Sequence, residues 1–442
     1  MKKIALGVFV AATLCGAELD EELGGFEDDL AGFESEVEAI IPTQVEREPE
    51  PSLLDDFSGY VAYMQNYSYR DAAQYSGVNM EKLSLFLDYE KRFYKNWKVK
   101  INAKGYYDLA YRDAGSYTPQ EIDDFRDELR LYDAFVEGSI TAKLDAKIGR
   151  QVVVWGRSDT IRITDILNPL DNRRFAIVDI EDLRLPTTMV KFDYYLERWK
   201  ISPIVILEQQ FSLQAPYGSV FNPAPFDIAD AKYHDASYAL SVGAEFKSWD
   251  VNFYGAYVRD DSGYVKAPIT PASTLEHPKV WMEGVALNLL HGPWLFKSEL
   301  AHFSKLKYTP TQDKEFSRTD ALVGFEYNGI AETMISYDFA MRYIHDYDAR
   351  LLEDIIPKEQ KKYEHALRIT SDFMHDTLHL NFLAYLEGEK LDRGGFCRFW
   401  SDYDIDDALR FRIGWLDYVG GAGYFERIKN EDMLFGELRY SF

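Results

Sequence analysis

The chain has 442 residues, with 74 acidic against 49 basic, a formal charge of −25, 31 tyrosines and two cysteines. An acidic balance of that size excludes nucleic acid as a partner, and two cysteines exclude a disulfide framework. No run approaches the roughly 18 apolar residues of a membrane helix, so a membrane location would require strands.

The first residues read as an export signal: Lys2-Lys3, an apolar run from Ile4 to Leu14, and small residues at Cys15 and Ala17. Residues 1–17 are therefore expected to be a signal peptide, and export is a further argument against nucleic acid. With Cys15 removed, Cys397 stands alone. Residues 18–56 hold fifteen Asp or Glu and one basic residue, Arg47, and read as a disordered, acidic periplasmic leader. An imperfect repeat in it, Leu23-Gly24-Gly25-Phe26-Glu27 and Leu30-Ala31-Gly32-Phe33-Glu34, offers Phe26 and Phe33 as anchors for a partner or for a basic lumen.

From Phe57 to Phe442 the sequence alternates with period two. Leu83, Leu85, Leu87 and Tyr89 oppose Ser84, Asp88 and Glu90; Ile335, Tyr337, Phe339 and Met341 oppose Ser336, Asp338 and Arg342. Short turns take turns with long polar loops, which is the asymmetry of an outer-membrane barrel. Trp97, Trp199, Trp249 and Trp294 each follow a short turn, and one structural position shared by four tryptophans predicts an aromatic girdle at the periplasmic interface. The spacing predicts strands near 57–67, 80–93, 97–111, 129–140, 143–155, 188–196, 199–209, 236–247, 249–259, 279–290, 294–306, 319–328, 332–345, 362–373, 377–389, 396–405, 408–419 and 432–442. The expected fold is all-β, a transmembrane antiparallel barrel of about 18 strands with both termini periplasmic. The terminal Arg439-Tyr440-Ser441-Phe442 resembles the signal such barrels present to their assembly machinery.

If apolar faces meet lipid and lipopolysaccharide, the opposite faces line water. Lys98, Lys100, Lys104, Lys143, Lys147, Lys297, Arg342, Arg368, Arg410 and Arg412 are the expected channel-lining cations. Strict alternation from Ile148 aims Arg150 at lipid, and a bulge at Gly149 would turn it and Gln151 inward. Loops carry helix signals as well: Thr118-Pro119-Gln120-Glu121 is a capping box, and Asp348 caps a second short helix.

The longest connection, 156–186, carries Arg157, Arg162, Arg173, Arg174 and Arg184 against Asp159, Asp165, Asp171 and Asp182, with enough Ile, Leu and Phe to fold against something. Two readings stand. Folded inward, it would be a constriction whose transverse field selects by charge; folded outward, it would be laced by its own salt bridges.

The run Gly149-Arg150-Gln151-Val152-Val153-Val154-Trp155-Gly156-Arg157-Ser158-Asp159, continuing through Asn168-Pro169-Leu170-Asp171, resembles a proteobacterial outer-membrane β-barrel family of unknown function, as does Leu23-Gly24-Gly25-Phe26-Glu27-Asp28-Asp29. The resemblance implies a barrel similar in architecture to alginate-export-type barrels. It also implies, as partners, an inner-membrane exporter or periplasmic lipoprotein. Where relatives follow Asn-Pro-x-Asp with Leu-Arg-Glu, this chain has Asn172-Arg173-Arg174.

Together these readings point to an outer-membrane channel, with an assembly or exporter accessory protein docked through the leader as the alternative. An enzyme is not expected: there is no Gly-x-Ser-x-Gly elbow, the eight histidines are scattered, and nothing calls for a cofactor or metal.

Overall fold

The structure is a computed structural model that describes residues 56–94, 96–112, 117–178, 183–266 and 268–442. Eighteen antiparallel strands pair in sequence order and the last closes on the first. They are β1 (Phe57–Ser68), β2 (Gly77–Phe93), β3 (Trp97–Asp108), β4 (Asp127–Thr141), β5 (Leu144–Gln151), β6 (Thr187–Leu196), β7 (Trp199–Ile206), β8 (Ser237–Glu245) and β9 (Trp249–Arg259). The circuit continues with β10 (Lys279–His291), β11 (Trp294–Leu306), β12 (Phe316–Ile330), β13 (Thr333–Ile344), β14 (Lys361–Phe373), β15 (Leu378–Glu387), β16 (Gly394–Asp404), β17 (Leu409–Val419) and β18 (Met433–Ser441). At the seam, Tyr60 pairs with Ser441, and Gly59 and Phe442 exchange two backbone hydrogen bonds of 2.9 Å. Closure removes the free edges a sheet of this size would otherwise expose.

Alternation decides the two faces. Outward residues such as Leu83, Leu85, Leu87, Phe296, Leu300 and Leu438 are exposed apolar side chains, which is stable only against lipid. Trp97, Trp199, Trp249 and Trp294 open β3, β7, β9 and β11, each directly after a short periplasmic turn, so the girdle read from the sequence is present. Helix α1 (Pro119–Phe125) has the capping box: the Thr118 N–H donates to Glu121 Oε2 at 2.9 Å and the Glu121 N–H to Thr118 Oγ1 at 3.2 Å. A 3₁₀ turn, Ala349–Glu353, is capped by Asp348. Helix α2 (Gly423–Ile428) lies between β17 and β18.

Three expectations change. First, β5 stops at Gln151 rather than near Trp155. Val152–Trp155 leave the sheet because side chains of the following loop replace the ladder: Val153 N–H donates to Asn168 Oδ1 at 2.8 Å and Trp155 N–H to Asp165 Oδ1 at 3.2 Å. Second, the pairing of β5 with β4 and β6 runs unbroken through Gly149, so no bulge re-aims Arg150. Gly149 instead sits at φ +129°, a conformation that favours glycine, with the position of a Cβ blocked by Ala134 O at 2.2 Å. Third, the inner wall is not uniformly polar. From β6 to β14 it carries Met189, Ile204, Ala256, Met282, Ala286, Ala301, Ala340 and Ala366, all buried, and these pack against Val153, Trp155, Ile161, Ile163 and Leu167 of the loop.

Candidate channel and its inward loop

The segment after Gln151 turns to the inward-facing side chains of the far wall. Glu299, on β11 and 4% exposed, collects the N–H groups of Arg157, Ser158 and Thr164 at 2.6, 3.1 and 3.1 Å and the Thr164 hydroxyl at 2.7 Å. Gly156, at φ +90°, lets the backbone pass directly against that carboxylate. Ser158 Oγ donates to Asp338 Oδ2 on β13 at 2.6 Å, the Arg157 guanidinium pairs with Asp250, and Asp159 lies 3.7 Å from Lys297. Asp250 is the second residue of β9 and Lys297 the fourth of β11, counted from their periplasmic turns. The loop therefore reaches deep on that side. Below the Val153 level, Trp155 stacks on Tyr254 with ring centroids 4.6 Å apart.

The chain then returns. Arg162 donates to Asn168 O at 2.7 Å, and its own carbonyl accepts from Arg342 Nη2 at 2.9 Å. Asp165 pairs with Arg162 at 3.3 Å and with Arg184 at 2.9 Å, and Leu170 and Arg184 form an isolated bridge. Asn168 ties the two arms of the loop, its Nδ2 donating to Gln151 O and Leu185 O at 3.2 and 2.9 Å. On the other side Arg173 pairs with Asp171 and with Glu128 of β4, at 2.6 and 2.7 Å. Arg174 pairs with Asp108 of β3 at 2.8 Å and lies over the Phe125 ring at 4.5 Å. Phe175 O accepts from Tyr418 Oη at 2.7 Å and Ala176 O from Arg398 at 3.0 Å. The same short segment thus touches β11 and β13 on one wall, β3 and β4 on the opposite one, and β16 and β17 between.

Of the expected channel-lining residues, Lys98, Lys100, Lys104, Lys147, Gln151, Lys297, Arg342, Arg368, Arg410 and Arg412 occupy inward positions by strand register. Most are paired: Lys98 with Glu137 at 3.0 Å, Lys100 with Asp88 at 3.5 Å, Lys147 with Glu137 at 3.7 Å, Arg410 with Asp404 and Arg412 with Asp402 at 2.5 Å. Lys297 is held by Glu326, and Arg342 by Asp320 and Glu364 at 2.8 and 2.6 Å. Arg368 lies 6.0 Å from the Trp400 ring, and Gln151 is buried with its Nε2 donating to Met189 O at 3.2 Å. Lys143 does not line the lumen; it is exposed in the short turn between β4 and β5. Arg150 is outward, level with Ala134 and Thr188, and Glu208 closes on it at 2.6 Å, so the cation near the outer rim meets a carboxylate rather than bare hydrocarbon. Asp182, Phe26 and Phe33 lie outside the described residues.

The strand partners of the loop side chains, Asp250, Glu128 and Asp108 for its arginines and Asp338 for Ser158, carried no recognisable signal, because pairing across a barrel leaves no spacing along the chain. Among the described residues Glu332 and Asp376, exposed in periplasmic turns, and Asp372, half-buried near the end of β14, bring three carboxylates within 4.8 Å of one another, where solvated charge is the ordinary state.

A closed barrel of 18 strands with an apolar outer wall, an aromatic girdle and a charged interior is an outer-membrane β-barrel of porin type. Solved porins share the fold at low identity. The chain matches OccAB3 of Acinetobacter baumannii at TM-score 0.54 and 12% identity, over 87% of this chain and 98% of that one. A BenF-like porin from Pseudomonas fluorescens matches at 0.52 and 12%, over 88% and 99%. OpdK of Pseudomonas aeruginosa, crystallised with vanillate, matches at 0.51 and 11%, over 88% and 99%. The protein belongs to the family described as protein of unknown function (DUF1302), whose model matches residues 79–442. No curated protein matches the sequence.

Proposed function

We propose that the protein is an outer-membrane diffusion channel in which residues 152–186 form the constriction. The observation that carries this reading is the pair of anchorages on opposite walls: Glu299 holding Arg157, Ser158 and Thr164, and Asp108 and Glu128 holding Arg174 and Arg173. A segment tied at both walls narrows whatever passes between them.

Two apolar clusters seat the loop, one against β6–β14 and one joining Phe175, Ala176 and Ile177 to Phe396, Trp400 and Tyr418 of β16 and β17, and the charged inner wall lies on β2–β4 and on the periplasmic halves of β17 and β18. That wall presents Lys82, Lys100, Lys104, Arg130, Arg412 and Arg439 among Asp88, Glu128, Asp402 and Glu437, a polar surface suited to a hydrated solute. Charges on the loop face this wall, so selection by charge follows from the same geometry. Single-channel conductance of the purified barrel, before and after deletion of 160–183, is the test. A rise in conductance is expected, and an unchanged pore would overturn the constriction.

A further inference from the structure

We propose that the outward face of β11–β14, at the extracellular rim, holds the phosphate of a lipopolysaccharide headgroup. The site lies on the lipid side of the wall and is independent of the channel.

Strand register sets its place. One row of paired residues runs Glu283, His302, Thr319, Tyr343, Lys361 from β10 to β14, on the same face as the exposed Leu300 and Val323. In the next row toward the extracellular side, Tyr257 and Trp281 pack outward with ring centroids 4.6 Å apart, and Ser304 pairs with Trp281. Tyr343 meets the His345 ring edge-on at 4.9 Å. Aromatic rings at the outer ends of strands mark the headgroup level, so the row lies where lipid phosphates lie.

The centre of the row is a relay of donors. Thr319 Oγ1 stands 3.0 Å from His302 Nδ1 and 2.8 Å from His345 Nε2. A hydroxyl has one proton, so it donates to one ring and accepts from the other. The ring that accepts carries its own proton on its second nitrogen, and that N–H has no acceptor among the described residues.

Two ammonium groups flank the relay. Lys305 is exposed on the bulge where β11 and β12 shift register, at φ +65°, a conformation uncommon for a residue with a side chain. Lys361 is exposed at the start of β14. Neither has a carboxylate within 4.0 Å among the described residues. They stand three strands apart, about 14 Å, which two flexible four-carbon side chains close over a group seated on the imidazoles. The carboxylates of this face are peripheral: Glu283 ends the row beyond His302, and Asp346 follows His345 in the extracellular turn. On the strands, the stretch from Thr319 to Lys361 therefore offers only donors and cations. An anion with several acceptor oxygens meets both lysines and the free imidazole N–H together, and in the outer leaflet that group is a lipid phosphate.

The test uses the full-length protein purified in detergent and two fluorescent probes, lipid A and lipid A stripped of its phosphates. Anisotropy titration should give lipid A at least about tenfold tighter, the increment of one charge-assisted contact. Lys305→Gln and Lys361→Gln should each lose about fivefold for lipid A, the worth of one lysine beside an anionic surface. Lys390→Gln, at an exposed position in the loop after β15, should lose nothing. Heat-modifiable migration checks that each variant is a folded barrel. Equal affinity for the two probes, or a loss in Lys390→Gln equal to that in Lys361→Gln, would overturn the proposal. So would displacement of lipid A by inorganic phosphate where chloride of the same ionic strength leaves it bound, since that assigns the patch to a free anion.

Discussion

Glu299 and Thr164 meet at two points: the carboxylate on β11 accepts the Thr164 backbone N–H at 3.1 Å and its hydroxyl at 2.7 Å. With the Arg157 and Ser158 N–H groups on the same carboxylate, one strand residue organises the deepest turn of the loop. Glu299→Ala would strand these buried donors, a cost on the order of 3–5 kcal/mol. The expected outcome is a faster tryptic cut at Arg157 or Arg162 and a larger single-channel conductance. Unchanged values for both would mean that the loop is held by its packing alone.

Trp155 tests that packing. It is 4% exposed, stacked on Tyr254, and sits in the cluster that joins the loop to the wall. Trp155→Ala should cost roughly 3–5 kcal/mol of folding stability in a urea titration, since a large buried aromatic leaves a cavity the barrel wall cannot collapse into. A loss below about 1 kcal/mol would mean that the site is not a closed core.

The pair Arg150 and Glu208 carries a different expectation, because both lie at the outer rim, with side chains 15% and 30% exposed. Arg150→Leu alone leaves Glu208 with hydrogen bonds from Thr188 and Gln210 but without a counter-charge. A double-mutant cycle with Glu208→Gln should return a coupling of roughly 1–3 kcal/mol, and no coupling would show the pair to be fully solvated.

Gly149 offers a steric test. Its φ of +129° and the Ala134 carbonyl 2.2 Å from the place of a Cβ make Gly149→Ala destabilising by more than about 1 kcal/mol. The readout is the fraction of barrel that refolds into detergent, judged by its heat-modifiable migration.

Asp235, in the loop before β8, has a carboxyl lowered to about 2: burial opposes the shift, and hydrogen bonds from Arg259 and Lys279 outweigh it. A carboxylate depressed in the folded state contributes stability above its unfolded value, and that contribution disappears as the pH falls through about 2. Carbon NMR of labelled aspartate should find this resonance titrating below the others. Arg259→Gln should return it toward the ordinary range, and a resonance already titrating there in the unmodified protein would contradict the pairing.

The barrel was legible because lipid demands one apolar face from every strand, and a period of two cannot be hidden. Eighteen strands, their turns and the four girdle tryptophans follow from local order along the chain. The contents of the barrel were less legible. Ala256, Ala286, Ala301 and Ala340 alternate with lipid-facing residues just as polar residues do, and nothing in them announces that a loop will pack there. Arg150 misled for a related reason: its partner stands at position 208, beyond any spacing rule.

By itself, then, the sequence determined the architecture, the membrane-facing surface and the existence of one long loop too apolar to be idle. The tertiary structure alone decided where that loop goes. Its direction depends on Glu299, Asp338, Asp108 and Glu128 meeting it from four strands, and on Asn168 and Asp165 replacing the ladder that Val152–Trp155 abandon. Strand pattern is a local property of backbone pleat and solvent, whereas the filling of a closed barrel depends on pairs far apart in sequence that only the closed ring brings together.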